Sequence, residues 1–266
     1  MIYVVPSLKA KEKLQCEGKA WAESQGFTYV PRGKRTIQDL MDEYGEDFLV
    51  YSSRGPQIDR PEGSHFFSLN MAELRIQNLR KGQRDHLLEA LMGRGSSKLP
   101  ITVLDCTCGF SADAAVASFG LPTGSRVDAL EVSPLLEAVT SWGFSHFVHK
   151  KDDVTAALRR ISLRRGDYRD YLLSDEGPVY DVLYFDPMFQ RPVEASCQFQ
   201  PVRAIMEHGG LTRDLIERAL QKARRRVVIK ERDFRQLCRD FPEVTLYGGK
   251  YSRIGYAVLE CDSWKK

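Results

Sequence analysis

A chain of 266 residues is long enough for one large domain, or for a domain with a smaller companion. Its hydrophobic share of 42% and aromatic share of 10% fit a globular protein with a true core, and no apolar run approaches the ~20 residues that a membrane-spanning helix needs. A net charge of +3 neither demands nor excludes a nucleic-acid partner. The stretch Met1-Ile2-Tyr3-Val4-Val5-Pro6 carries no signal-peptide pattern, so a cytoplasmic location is expected. The six cysteines, at 16, 106, 108, 197, 238 and 261, show no C-x-x-C spacing. They are expected to be reduced thiols, with no metal site.

Residues 1–95 read as a small α/β subdomain. Strands are expected at Ile2–Val5, at Phe27–Val30 (stopped by Pro31) and at Phe48–Tyr51, with helices over the lysine-rich Leu8–Ser24 and over Ile37–Tyr44. The Gly-, Pro- and Ser-rich stretch Ser52–Gly63 predicts a loop, and His65–Ser68 a further strand. Asn70 is placed to cap one long helix from Met71 to about Met92, with Glu73 completing a capping box. That helix carries Arg75, Arg80, Lys81, Arg84 and His86. They read either as a solvated face or as an edge turned to nucleic acid or cofactor. Gly93–Ser97 ends the helix and marks the expected boundary with a second domain, 96–266.

From Pro100 onward strands and helices alternate. Strands are predicted at Ile101–Asp105, Arg126–Val132, Ile161–Arg165, Tyr180–Phe185 and Val227–Ile229, with helices at Ser111–Phe119, from Pro134 toward Trp142, Asp152–Arg160, Leu211–Arg225 and Phe234–Phe241. Val244–Tyr247 and Gly255–Glu260 would close the chain as an antiparallel pair. This pattern predicts a Rossmann-like, mostly parallel sheet covered on both faces, with ligands at the carboxyl ends of its strands.

The stretch from Val103 to Asp113 reads as a buried strand, a tight turn Thr107-Cys108-Gly109-Phe110 and a helix start. A dinucleotide would need G-x-G-x-x-G here, but only Gly109 is present and Ser111 stands where the next glycine belongs. No P-loop pattern occurs anywhere in the chain. S-adenosylmethionine fits better, because it has no phosphates. It needs an acid near its amino group, one for its ribose hydroxyls and a polar contact for its adenine. Asp105, Glu131 and Asp167 stand in that order at successive strand ends. The turn residues Thr107, Gly109 and Phe110 belong with this cofactor site.

A second strand end, Asp186-Pro187-Met188-Phe189, offers the reaction chemistry. The exocyclic amine of a base is a poor nucleophile, because its lone pair is delocalised into the ring. The Asp186 carboxylate and the Pro187 carbonyl can accept its two hydrogens and orient that lone pair. Met188 and Phe189 offer a face for a flipped base. Methyl transfer is a direct displacement that needs alignment more than a strong base. Lys230, at another strand end, reads equally as a phosphate contact, a support for Asp186 or a surface lysine. Arg159, Arg160, Arg164, Arg165, Lys222 and Arg224–Arg226 would supply salt-dependent RNA binding if they line one face. The long connection Gln190–Gly210, with Arg191, Phe199, Arg203 and His208, is expected to be a functional loop.

Asp105–Asp113, Leu130-Glu131-Val132-Ser133-Pro134 and Tyr184–Phe189 together resemble class I methyltransferases. More narrowly they resemble the RsmJ (YhiQ) family, which methylates a guanine 2-amino group in 16S ribosomal RNA. The resemblance covers about residues 65 to 260. It implies an RNA partner, either ribosomal RNA or the small ribosomal subunit. It also implies that Ala112, Asp113, Glu131, Val132, Gly166 and Asp167 line the cofactor and that Asp186 sits between methyl donor and base. The chain departs from the family at Ser111, where a second glycine is usual, at Ala112, where a basic residue is usual, and at Val132, where arginine is usual.

Overall fold

The computed structural model describes residues 1–93, 99–187, 210–248 and 254–264. The chain divides into two compact units. One comprises Met1–Ser68 with Ser133–Phe147; the other comprises Leu69–Val132 with the described residues of 148–187 and 210–264.

The first unit is a five-stranded sheet of order β2-β1-β3-β4-β5, made of β1 (Tyr3–Pro6), β2 (Thr28–Tyr29), β3 (Phe48–Ser52), β4 (Gly55–Arg60) and β5 (Gly63–Phe66). β1 runs parallel to β2 and β3, whereas β4 and β5 return as an antiparallel meander. Helices α1 (Glu12–Ser24) and α2 (Ile37–Tyr44) supply the crossovers. Thr36 caps α2 by accepting the Asp39 N–H, while the Asp39 carboxylate accepts the Thr36 N–H. The stretch expected as a loop, Ser52–Gly63, therefore contains the strand β4. Its polarity hides its burial. Gln57, Asp59 and Arg60 are buried, and they satisfy one another or nearby carbonyls. Gln57 donates to Asp59 at 2.8 Å, and Arg60 donates to the Asp59 and Glu46 carbonyls beneath a cation–π contact with Phe48. Turn-forming composition predicted solvent where the fold instead built a buried polar strand.

The second unit begins with α3 (Asn70–Arg80) and α4 (His86–Met92). One long helix was expected here, and the chain breaks it. Gly82 takes a left-handed backbone at φ +75, and Asp85 caps the new helix by accepting the Leu87 and Leu88 N–H groups. Asn70 is itself the first helical residue, after Leu69, and provides no side-chain cap.

Among the described residues a seven-stranded sheet follows, in the order β11-β12-β10-β9-β6-β7-β8. Its strands are β6 (Thr102–Asp105), β7 (Arg126–Glu131), β8 (Ile161–Arg165), β9 (Val182–Phe185), β10 (Arg226–Glu231), β11 (Thr245–Tyr247) and β12 (Gly255–Glu260). The first five are parallel. β12 is antiparallel to both β10 and β11, so the last strand inserts inside the edge rather than forming it. The crossovers are α5 (Ala112–Gly120), α8 (Tyr168–Leu173) and α9 (Arg213–Lys222); between β7 and β8 the chain runs through α6 (Pro134–His146), which belongs to the first unit, and then α7 (Asp152–Arg159), and α10 (Arg235–Asp240) precedes β11. The short α8 was not anticipated; Asp167 caps it.

β6 lies between β7 and β9, where the winding of the sheet reverses. The carboxyl ends of β6 and β9 therefore open the crevice in which ligands of such sheets bind. Leu104, Val103, Leu183 and Phe185 anchor these strands in the core. No helix among the described residues is long and apolar enough to cross a membrane. Leu104→Ala is expected to lower stability by about 2–5 kcal/mol, measured by urea unfolding.

Candidate active site

The turn after β6 is tied down from three sides. Asp105, fully buried, accepts the Thr107 N–H at 3.0 Å. The Cys108 N–H donates to the Leu130 carbonyl, and the Gly109 N–H donates to the Glu131 carboxylate at 2.8 Å. Gly109 has φ +50 and Ser111 φ +65. Both positions are left-handed, which accounts for the glycine usual at the second one. Here a serine bears the strain. Its hydroxyl is buried and finds no hydrogen-bond partner among the described residues. Ala112 and Asp113 then open α5.

The end of β9 is locked to this turn. The Cys106 N–H donates to the Tyr184 carbonyl, and the Asp186 N–H donates to the Thr107 hydroxyl at 2.6 Å. Thr107 thus joins the two strand ends that the sequence singled out. β10 runs beside β9 with Ile229 opposite Phe185, which brings Lys230 level with Asp186. The Lys230 ammonium donates to Asp186 at 2.6 Å and to Asp113 at 2.8 Å, and the lysine side chain is only 15% exposed. Of its three readings, the surface lysine is excluded. Asp113 also accepts from the Tyr184 hydroxyl at 2.7 Å and from Arg75, whose guanidinium forks onto Asp85 at 2.7 and 2.8 Å.

The charges follow from these contacts. Burial raises the Asp105 carboxyl well above the usual range, because one amide N–H compensates little. Burial also opposes the Asp113 charge, but Lys230 and Arg75 outweigh it and hold that carboxyl below the usual range. Asp186 lies between these cases. Burial pushes it up to about 6, Lys230 pulls it down, and Asp113 pushes it up. Lys230 stays protonated, because the two carboxylates outweigh the cost of its own burial.

On the other side of β6, Glu131 is buried at the end of β7, and its carbonyl accepts the Gly166 N–H. Val132 follows it, 36% exposed. Asp167 stands one strand further on, where its carboxylate accepts the Arg169 backbone N–H and pairs with the Arg169 guanidinium. These contacts lower its pKa, the side-chain bond most of all. Pro187 follows Asp186. Met188 and Phe189, and nearly all of the Gln190–Gly210 connection, lie outside the described residues.

The basic residues divide by place. Arg159, Arg160, Lys222 and Arg224–Arg226 gather at the amino ends of the strands, opposite the crevice. Arg160 donates to the Ser118 carbonyl and Lys222 to the Tyr171 and Ser174 carbonyls, while Arg225 and Arg226 pair with Asp181 and Glu260. They satisfy helix ends and strand termini. Arg164 and Arg165, exposed on the edge strand β8, reach the carboxyl side, where Arg165 is level with Glu131. Arg75 was legible only as one of several charges on a helix. Its inward direction follows from the break at Gly82, which brings Asp85 beside it.

The donor set fits S-adenosylmethionine. The buried Glu131 carboxylate suits ribose hydroxyls, and the buried Ser111 hydroxyl has an unused hydrogen-bonding capacity. The Gly109 N–H, which a pyrophosphate cradle would turn outward, is committed to Glu131. Among the described residues no cluster of His, Cys, Asp and Glu is arranged to hold a metal ion.

A sheet of this order, with its reversal beside β6, is that of a class I methyltransferase. The family described as "Putative SAM-dependent methyltransferase" matches residues 64–254, and the chain belongs to it. The cofactor of the family is S-adenosylmethionine. Among its relatives, the uncharacterized protein YpiP of Bacillus subtilis is 28% identical over 86% of this chain and 88% of its own length. Ribosomal RNA small subunit methyltransferase J of Marinobacter nauticus is 27% identical over 72% of this chain and 66% of its own length. A SAM-dependent methyltransferase from Neisseria gonorrhoeae shares the fold with a TM-score of 0.64 at 18% identity, covering 98% of this chain and 96% of that one.

Ser111→Gly removes a side chain from a left-handed position and an unpaired hydroxyl from the interior. It is expected to raise stability by about 1 kcal/mol, seen as a higher midpoint of urea unfolding.

Proposed function

We propose that this methyltransferase acts on an exocyclic amine of a base in RNA, with guanine in ribosomal RNA as the substrate. The observation that carries this reading is Asp186. It is a half-buried carboxylate just past the end of β9, held by Lys230 through one oxygen and followed directly by the Pro187 carbonyl. Relatives named ribosomal RNA small subunit methyltransferase J, 27–30% identical, support ribosomal RNA over other polymers. The protein YpiP, matched over more of the chain, carries no named substrate.

Bound S-adenosylmethionine supplies the methyl group on a sulfonium and is left as the neutral thioether. Asp186 and the Pro187 carbonyl accept the two amine hydrogens and turn the nitrogen lone pair toward the methyl carbon. The nitrogen would gain its bond to the methyl carbon as the carbon–sulfur bond breaks, and its surplus proton would pass to Asp186 and then to water. Glu131 would hold the ribose hydroxyls, and Asp105 and the Thr107–Phe110 turn would line the rest of the cofactor. Met188 and Phe189 take the flipped base. Arg164 and Arg165 meet phosphates at the edge strand.

The test is transfer of radiolabelled methyl from S-adenosylmethionine to total RNA and to ribosomal subunits prepared from cells lacking this protein. Label in one ribosomal RNA fragment is expected, and Asp186→Ala should lower the rate by at least about 100-fold, the scale of a lost positioning and proton-accepting group. Label confined to DNA or to small amines would overturn the choice of RNA. Because Asp186 must be ionised to accept hydrogens and its pKa is raised to about 6, the rate is expected to fall as pH drops through 6.

A further inference from the structure

Three charged groups stand behind Asp186: Asp113, buried, and Lys230 and Arg75, both largely shielded; the resemblance put Asp113 at the cofactor, but both of its oxygens are taken by these cations and the Tyr184 hydroxyl. The three groups form one continuous chain of contacts. Arg75 forks onto Asp85 from α3 and reaches Asp113 with its remaining nitrogen. Asp113, at the start of α5, accepts from Lys230 and from the Tyr184 hydroxyl. Lys230, at the end of β10, reaches Asp186. The four residues come from α3, α5, β10 and the end of β9, so no local sequence requirement brings them together.

We propose that Lys230 is a positioning residue that keeps Asp186 ionised and fixes one of its oxygens, and that Asp113 and Arg75 anchor Lys230 in that place. The proposal rests on the reading of Asp186 as the acceptor of amine hydrogens. An ammonium 2.6 Å from one carboxylate oxygen selects the rotamer of that carboxylate. The contact is to Oδ2, and Oδ1 accepts no hydrogen bond among the described residues, which leaves it for the incoming amine. A lysine bonded to Asp186 alone would be free to swing toward solvent on its four-carbon stem. Asp113 removes that freedom, and Arg75 neutralises Asp113 so that Lys230 is shared rather than captured.

The charges facing Asp186 decide the sign. Asp105 from β6, Asp113 from α5 and Glu231 from β10 are acidic. Tyr184 from β9 and Tyr256 from β12 are buried phenols that favour the neutral form. Arg75 and Asp85 stand behind Asp113. Among the described residues, Lys230 is the cation in contact with Asp186. Removing its charge therefore leaves a half-buried carboxylate facing the Asp113 and Glu231 carboxylates, and protonation becomes easier.

The experiment is a titration followed by carbon-13 NMR. The full chain is labelled at its aspartate carboxyls, and the Asp186 resonance is assigned by its loss in Asp186→Asn. The wild-type midpoint is expected at about 6. In Lys230→Met it should rise by about 1–3 pH units, the effect of an opposite charge at contact distance. In Lys230→Arg, which keeps the charge, it should lie nearer to wild type than to Lys230→Met. Lys230→Gln keeps a donor without the charge and carries the test if Lys230→Met does not fold. A midpoint in the charge-free variants equal to wild type overturns the proposal. Methyl transfer measured on the same variants separates the two readings. If the NMR midpoint moves while the acid limb of the rate does not, the role of Lys230 toward Asp186 stands, and the assignment of Asp186 as amine acceptor falls.

Discussion

A carboxylate taken out of water must find a cation or donors, or it takes up a proton. Three aspartates meet this constraint at one edge of the sheet, and each meets it differently. Asp105 has an amide N–H and little else, so burial drives it toward the neutral acid. Asp113 has two cations and a phenol, and it remains an anion. Asp186 shares one cation, and burial raises its pKa to about 6. The different environments of these identical side chains provide a fixed anion, a poised acceptor and a neutral group in a single crevice. The lysine and arginine that make this possible come from strands and helices far apart in the chain. The sheet order is therefore a precondition of the chemistry.

Much of this was legible in the sequence, because parallel sheets announce themselves. Buried strands such as Val103–Asp105 and Val182–Phe185 are apolar on both faces and end abruptly in an acid. The alternation with helices gave the α/β class, and the ends marked by Asp105, Glu131 and Asp186 do lie side by side along the carboxyl edge. The Lys230 contact follows from the pairing of β9 with β10, since Ile229 stands opposite Phe185 and Lys230 and Asp186 are the next residues along.

What escaped has physical causes. β4 was lost because its Gln57, Asp59 and Arg60 are polar but pair internally, and composition cannot distinguish a paired buried charge from a solvated one. The break between α3 and α4 depends on one glycine and one capping aspartate within an otherwise helical pattern, and it is this break that turns Arg75 inward. The basic residues misled in the opposite direction. Arg160 and Lys222 have the composition of a phosphate-binding face, yet they donate to carbonyls at the ends of helices, and only the fold shows that they stand at the far edge of the sheet. Asp167 was read as a cofactor contact. It lies beside Glu131 as expected, but its carboxylate caps α8 and pairs with Arg169, an arrangement no spacing rule discloses.

The reading of the site depends on a division of labour between two strand ends, with donor on the β6–β7 side and amine on the β9 side, joined by the Thr107–Asp186 hydrogen bond. A crystal structure of the chain with S-adenosylhomocysteine tests this division most directly. The expected result is a ribose on the Glu131 carboxylate and a sulfur facing Asp186, with the Lys230–Asp186 contact intact. A ligand bound away from Glu131, or one whose sulfur faces away from Asp186, would contradict it.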